Sequence, residues 1–168
     1  MADKKEIAVR IKSIKEVEFS NKLNDEILRN FDEHKVETKL GFAIFGNKED
    51  SSVAMNINVR YIYSSSEKKR EFFTFKTETI FKFSDMQEHE NVIKIEESTV
   101  FVSDELMGMM LNISIGATRG MISYRSASLG LPNNLVIPLV DLDAFLNIGK
   151  DQLKSEEKRV LKKNKKTT

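Results

Sequence analysis

The chain contains no cysteine, so it can form neither a disulfide nor a thiolate metal site, and its chemistry fits a reducing compartment. Histidine occurs twice, His34 in DEHK and His89 in QEHEN, and these charged surroundings read as exposed turns. A metal site needs ligands at helical or hairpin spacing, and neither histidine stands in one. No glycine-rich phosphate loop follows a strand, and no GxSxG elbow occurs. Asp141 and Asp143 read as a helix cap and a first-turn charge rather than as a catalytic carboxylate pair. The first residues, MADKKEIAV, lack the continuous apolar core of a secretory signal, and no apolar run is long enough to span a bilayer. These absences predict a soluble, cytoplasmic protein that is not an enzyme and needs no metal or cofactor.

What is present is a chain of 168 residues, enough for one domain or a domain with a tail, able to bury roughly two thirds of its unfolded surface. Its net charge of +1 is unevenly distributed. Residues 150–168 carry eight Lys and Arg against three Asp and Glu, which makes this tail +5 and leaves −4 for the rest. The expected division is a folded domain over 1–149 and a basic tail, partly helical or disordered, over 150–168.

Three segments alternate with the period of half-buried strands. In VAMNINVRYIY, Val53, Met55, Ile57, Val59, Tyr61 and Tyr63 share one face, opposite Asn56, Asn58 and Arg60. In EFFTFKTETIFKF, Phe73, Phe75, Phe81 and Phe83 share a face, opposite Lys76, Glu78 and Lys82. KLGFAIF, around Leu40, Phe42 and Ile44, is a shorter apolar strand. A first strand over 7–19 changes phase near Ser13 and Ile14, as a bulge would require. Short polar connections, GNKEDSS and SSSEKKR, predict antiparallel hairpins and a four-stranded meander.

After Val102 the period lengthens. Ser103 can cap a helix whose first turn holds Asp104 and Glu105. Leu106, Met107, Met109, Met110, Leu111, Ile113, Ile115, Ala117, Met121 and Ile122 surround nearly its whole circumference. One sheet covers one side of such a helix, which predicts oligomerisation that sandwiches helices between sheets of different subunits. Gly108, Gly116 and Gly120 each cost about 1 kcal/mol relative to alanine in a helix, a loss that close approach of another element would offset. Pro132 and Pro138 bracket an extended apolar connector, and Asp141 can cap a second helix with Leu142, Phe145, Leu146 and Ile148.

In their order, these elements and residues resemble the SecB-like chaperones. RIKSIKEVEFS, with Lys15, Glu16 and Phe19, is similar to that family's first strand. Arg119-Gly120 matches the pair that closes its long helix, and Leu135 to Phe145, with Pro138 before DLDAF, matches its connector and the start of its last helix. Two departures stand out. MISYRSASLG, between Gly120 and Leu131, is longer than in the bacterial export chaperone, and the tail is basic where that chaperone has an acidic one that helps dock the SecA motor.

The resemblance implies an α+β protomer, a dimer-of-dimers tetramer, and an ATP-independent holdase that binds unfolded polypeptides in apolar grooves. Protein export through SecA and service to a toxin–antitoxin system are both open. Phe42, Phe45, Phe72, Leu131, Leu135, Ile137, Leu142 and Phe145 are the candidate client groove. Glu16 and Glu18 are the candidate acidic partner surface, and Met107, Met110, Gly116 and Gly120 the candidate oligomer packing. The alternatives are core burial for the groove residues, a solvated strand edge for the glutamates, and ordinary core filling for the methionines. A rival function uses Lys162, Lys163, Lys165 and Lys166 to dock on RNA, ribosomes or an anionic surface. A subunit of a purely structural assembly is a third reading.

Overall fold

The computed structural model describes residues 7–23, 29, 31–64, 68–96, 99–129, 135 and 137–141. The strands β1 (Val9–Asn21), β2 (Val36–Asn47), β3 (Ser52–Ser64) and β4 (Lys69–Phe83) form one antiparallel sheet in the order β1-β4-β3-β2. A small hairpin, β5 (Ile93–Glu96) and β6 (Thr99–Val102), precedes the helix α1 (Asp104–Ser128). The architecture is α+β, as expected.

The topology differs in one respect from a simple meander. β2, β3 and β4 follow one another as hairpins, but β1 lies beside β4, which makes a Greek key. Residues 22–35 separate β1 from β2, a connection too long for the tight turn that adjacent pairing would use. β1 instead matches the aromatic face of β4, with Phe19 opposite Phe75 and Ile11 opposite Phe81. Its register shifts between Ile11 and Ser13, where the sequence changes phase, and again between Glu16 and Glu18. Two bulges bend this edge strand and unsuit it as a template for further pairing.

One face of the sheet is the core. The alternating β3 series from Val53 to Tyr63 is buried throughout, together with Phe73, Phe75, Phe81 and Phe83 of β4. Within β2, Gly46 faces this side opposite Val53, and its missing side chain admits the β5–β6 hairpin. A Cβ there would lie 2.6 Å from Ile95 Cγ2 and 2.7 Å from Val100 Cγ2. The hairpin was missing from the strand expectations although IKIE alternates with period two. Ile93 and Ile95 are its buried side.

α1 begins where the sequence places it. Ser103 Oγ accepts the Leu106 backbone N–H at 3.4 Å, with Asp104 and Glu105 in the first turn. It runs past Arg119-Gly120 to Ser128, so that pair does not close the helix. MISYRSAS has no proline or strong capping residue that would stop it earlier. Leu106, Met110, Leu111, Ser114, Ile115, Thr118, Ile122 and Ser126 are the buried stripe. Packing against β4 includes a buried hydroxyl pair, Thr77 Oγ1 to Thr118 Oγ1 at 2.7 Å, while Thr118 Oγ1 also donates to the Ser114 carbonyl at 2.7 Å.

The chain divides into two compact units, one ending at Pro138 and one beginning at Leu139. Of the second, Leu139, Val140 and Asp141 are described, and Leu139 is exposed. The expected second helix beyond Asp141, the 149/150 boundary and the basic tail lie outside the described residues. Among the described residues, no helix is long and apolar enough to cross a membrane.

Candidate functional site

At one end of β3 and β4 the core becomes aromatic because β4 carries one extra residue. Tyr61 pairs with Phe73 and Ile62 with Glu71, so Phe72 is bulged, and both Phe72 and Phe73 turn inward. Phe73 sits 5.4 Å edge-on from Phe19 and 5.4 Å from Tyr61. Phe72 lies 6.2 Å from Tyr61 and 6.4 Å from Phe31, which stacks 5.9 Å from Tyr63. The Tyr61 hydroxyl is buried and has no partner among the described residues. Burial drives its phenol pKa upward against the opposing charge of Arg119.

Arg119 is also the tie between α1 and the connector. Its Nε donates to the Ile137 carbonyl at 3.2 Å and its Nη2 to the Pro138 carbonyl at 2.6 Å. Leu135 and Ile137 are both nearly fully buried. Arginine's planar fork suits two successive carbonyls, a geometry that lysine does not reproduce.

Neither of the candidate docking glutamates is a bare acid. Glu16 stands opposite Thr77, on the helix side of the sheet, and is bound bidentately by Arg125, with Nε to Oε2 and Nη2 to Oε1 both at 2.9 Å. The Arg125 guanidinium lies 5.5 Å over the Phe19 ring, which adds a cation–π contact. Glu18 is on the outer face, 2.9 Å from Lys76 Nζ. Both glutamates of the expected acidic surface are thus ion-paired, Glu16 on the helix side of the sheet and Glu18 on the outer face.

The same pairing extends over the outer face. Lys15 meets Glu78 at 2.8 Å, Arg60 meets Glu71 at 3.7 Å, and Glu37 lies between Lys69 at 3.0 Å and Lys39 at 3.7 Å. Hydrogen bonding from Lys69 lowers the Glu37 pKa. Asp50, in the β2–β3 turn, takes Lys12 at 2.6 Å and Lys82 at 3.0 Å, and these hydrogen bonds hold its carboxyl down at about 2. The alternation that puts apolar residues inward puts these charges in cross-strand register outside.

Among the described residues, the groove candidates do not share one open surface. Phe42 is half-buried and faces the core side opposite Ile57, whereas Phe45 faces outward opposite Ala54 and is 57 % exposed. Their odd spacing on a strand requires opposite faces. Phe72, Leu135 and Ile137 are interior rather than open, and Leu131, Leu142 and Phe145 lie outside the described residues. Of the packing candidates, Met110 is fully buried in the chain's own core and Met107 half-buried, while Gly116 and Gly120 are exposed with open space where a Cβ would stand. His34 is exposed in the 3-10 turn Glu33–Lys35, and its backbone N–H donates to Asp32 Oδ1 at 3.1 Å. His89 ends another 3-10 turn, Met86–His89, and is half-buried.

Several exposed apolar side chains escaped sequence reading. Phe101 on β6, Tyr124 and Leu129 near the end of α1, and Ile11 and Val17 at the β1 bulges join Phe45 and Met109 at the surface. For Val17 the signal was the second phase change in β1. For Tyr124 it was the helical spacing from Gly116, Gly120 and Ala117.

These features define a class: an α+β fold with a Greek-key sheet, one face of which is covered by a long helix that leaves Met109 and Tyr124 exposed. No family profile matches the chain, and no curated protein matches it. Among solved structures it is similar to a Mycobacterium tuberculosis SecB-like chaperone in complex with the ChAD peptide of the HigA1 antitoxin. That likeness has 12% identity and a TM-score of 0.46 over 79% of this chain and 91% of the other. It is also similar to a protein of unknown function from Streptococcus agalactiae, with 10% identity and a TM-score of 0.35 over 80% of this chain and 99% of the other.

Proposed function

We propose that the protein is an ATP-independent holdase rather than an enzyme, keeping non-native polypeptides soluble by covering their apolar segments. The supporting observation is the amount of large apolar surface left outside a completed core. Tyr124 is 74 % exposed, Phe45 57 % and Phe101 55 %, and Ile11, Val17 and Met109 are exposed as well. Exposed side chains of this size are available to pack on a client's apolar segments, and burying such surface stabilises a complex by roughly 25 cal/mol per Å².

Part of that surface serves assembly in this reading. Met109, Gly116, Gly120 and Tyr124 lie away from the buried stripe of α1, and a second copy laid on this side would complete the sandwich predicted for an all-round apolar helix. Gly116→Leu adds a bulky side chain to a position with nothing within 4 Å in the protomer. The fold should survive it, and the assembly, read as mass by light scattering, should dissociate. An unchanged mass would remove α1 from the interface.

The decisive assay is aggregation of a chemically unfolded model protein with no nucleotide, at low and moderate salt, with the full chain and with a chain lacking residues 162–168. Suppression that ignores salt and tail supports apolar holding. Suppression that vanishes with salt or with the tail would transfer the function to an anionic-surface adaptor, because phosphate binding falls steeply with salt.

A further inference from the structure

Leu135 and Ile137 stand two residues apart in sequence outside any helix or strand, yet each is only 2 % exposed. Pro138 pushes the residue before it into extended geometry, and residues two apart on an extended chain point the same way. Among the described residues, no backbone–backbone hydrogen bond ties this stretch to sheet or helix. Arg119 holds it instead, gripping the carbonyls of Ile137 and Pro138. Carbonyls are common to every peptide, so that grip reads an extended backbone and not a particular side chain. The same Arg119 is an opposing charge on the buried Tyr61 phenol.

We infer that Leu135, Ile137 and Pro138 form a strap that occupies a peptide site from within. An extended client segment with apolar residues two apart displaces the strap, and Arg119 takes up the client's carbonyls in its place. The strap is therefore an autoinhibitory pseudo-client, and the inference rests on the holdase reading for the identity of what displaces it. It accounts for the burial of Leu135 and Ile137, apolar residues in a stretch with no helix or strand of its own. The resting protein hides its stickiest surface, and a client pays for access by out-competing a segment of the same chemistry.

The test uses the full chain and a labelled synthetic peptide of the strap sequence, NNLVIPLVD. Removing the internal competitor with Leu135→Ser and Ile137→Ser should tighten peptide binding at least about tenfold over the wild type. Adding Arg119→Ala should cancel the gain. A folded double variant that binds no more tightly overturns the strap. A milder variant guards against misfolding: Ile137→Cys gives this cysteine-free chain one thiol, and unlabelled peptide should speed its alkylation at least about tenfold. An alkylation rate indifferent to peptide also overturns it. Peptide binding without aggregation suppression by the wild type would leave the strap standing and sink the holdase reading. Suppression with unaltered peptide affinity in the double variant would do the reverse.

Discussion

Gly46 is the position at which a single methyl group should do the most damage. A Cβ added there would stand 2.6 Å from Ile95 Cγ2, 2.7 Å from Val100 Cγ2 and 3.2 Å from Ile95 Cγ1. Carbon atoms prefer about 3.5–4.0 Å, so Gly46→Ala creates two overlaps of roughly 1 Å. Both obstacles are β-branched and stiff at χ1, so neither can swing aside without moving the hairpin. Overpacking of this kind costs about 1–3 kcal/mol, against a gain of about 0.5–1 kcal/mol for replacing a strand glycine. The net loss, up to about 2.5 kcal/mol, should lower the melting temperature by up to about 10 °C for a chain of this size. Gly41→Ala is the control, five residues away on the opposite face, where a Cβ meets nothing within 4 Å. It should leave stability unchanged or raise it by up to about 1 kcal/mol. Thermal and urea unfolding followed by circular dichroism would compare the two, with Val100→Ala added to Gly46→Ala to relieve one overlap. If Gly46→Ala melts as high as Gly41→Ala, the hairpin does not sit on β2 as described.

Two further outcomes follow from the polar contacts. The Asp50 carboxyl is held at about 2 in the fold against an ordinary 3.8, by hydrogen bonds from Lys12 and Lys82. A lowered folded-state value stabilises above the ordinary pKa and is lost as pH falls towards 2. Asp50→Asn should therefore flatten the decline of stability between about pH 4 and pH 2, and identical slopes for variant and wild type would refute the linkage. In the buried hydroxyl pair, the Thr118 proton is committed to the Ser114 carbonyl, so Thr77 is the donor to Thr118. Thr77→Val, which removes only that donor, should cost about 1 kcal/mol. Thr118→Val, which strands the Thr77 hydroxyl, should cost more, about 1–3 kcal/mol. Equal urea midpoints for the two variants would contradict this assignment of the proton.

Local order was legible in the chain wherever one physical constraint dominated. Period two in β3 and β4 fixed which face is dry, because a one-residue slip would expose every apolar side chain. The phase change near Ser13 announced the first β1 bulge, and Ser103 with Asp104 and Glu105 announced the start of α1. Asp104–Ser128 ran past the expected end because Arg119-Gly120 contains no obligate stop, glycine being tolerated inside helices at modest cost. Pairing between distant segments was less accessible. That β1 joins β4 rather than β2 depends on the long connection after Asn21 and on complementary aromatic faces, neither of which periodicity reports.

The candidate site was less legible than the fold, for a related reason. Residue type placed Phe42, Phe45, Phe72, Leu135 and Ile137 in one apolar set. Strand parity sends Phe42 and Phe45 to opposite faces, a bulge turns Phe72 inward, and two hydrogen bonds from Arg119 fasten the connector. Glu16 and Glu18 look equivalent in sequence, but the register shift between them puts one under the Arg125 fork and the other beside Lys76 on the outer face. The sequence by itself determined the elements, their apolar faces and the inventory of charges, because these depend on near neighbours along the chain. Which charges pair and which apolar residues remain outside were decided only by the tertiary structure, since each depends on residues up to 109 positions apart meeting in space.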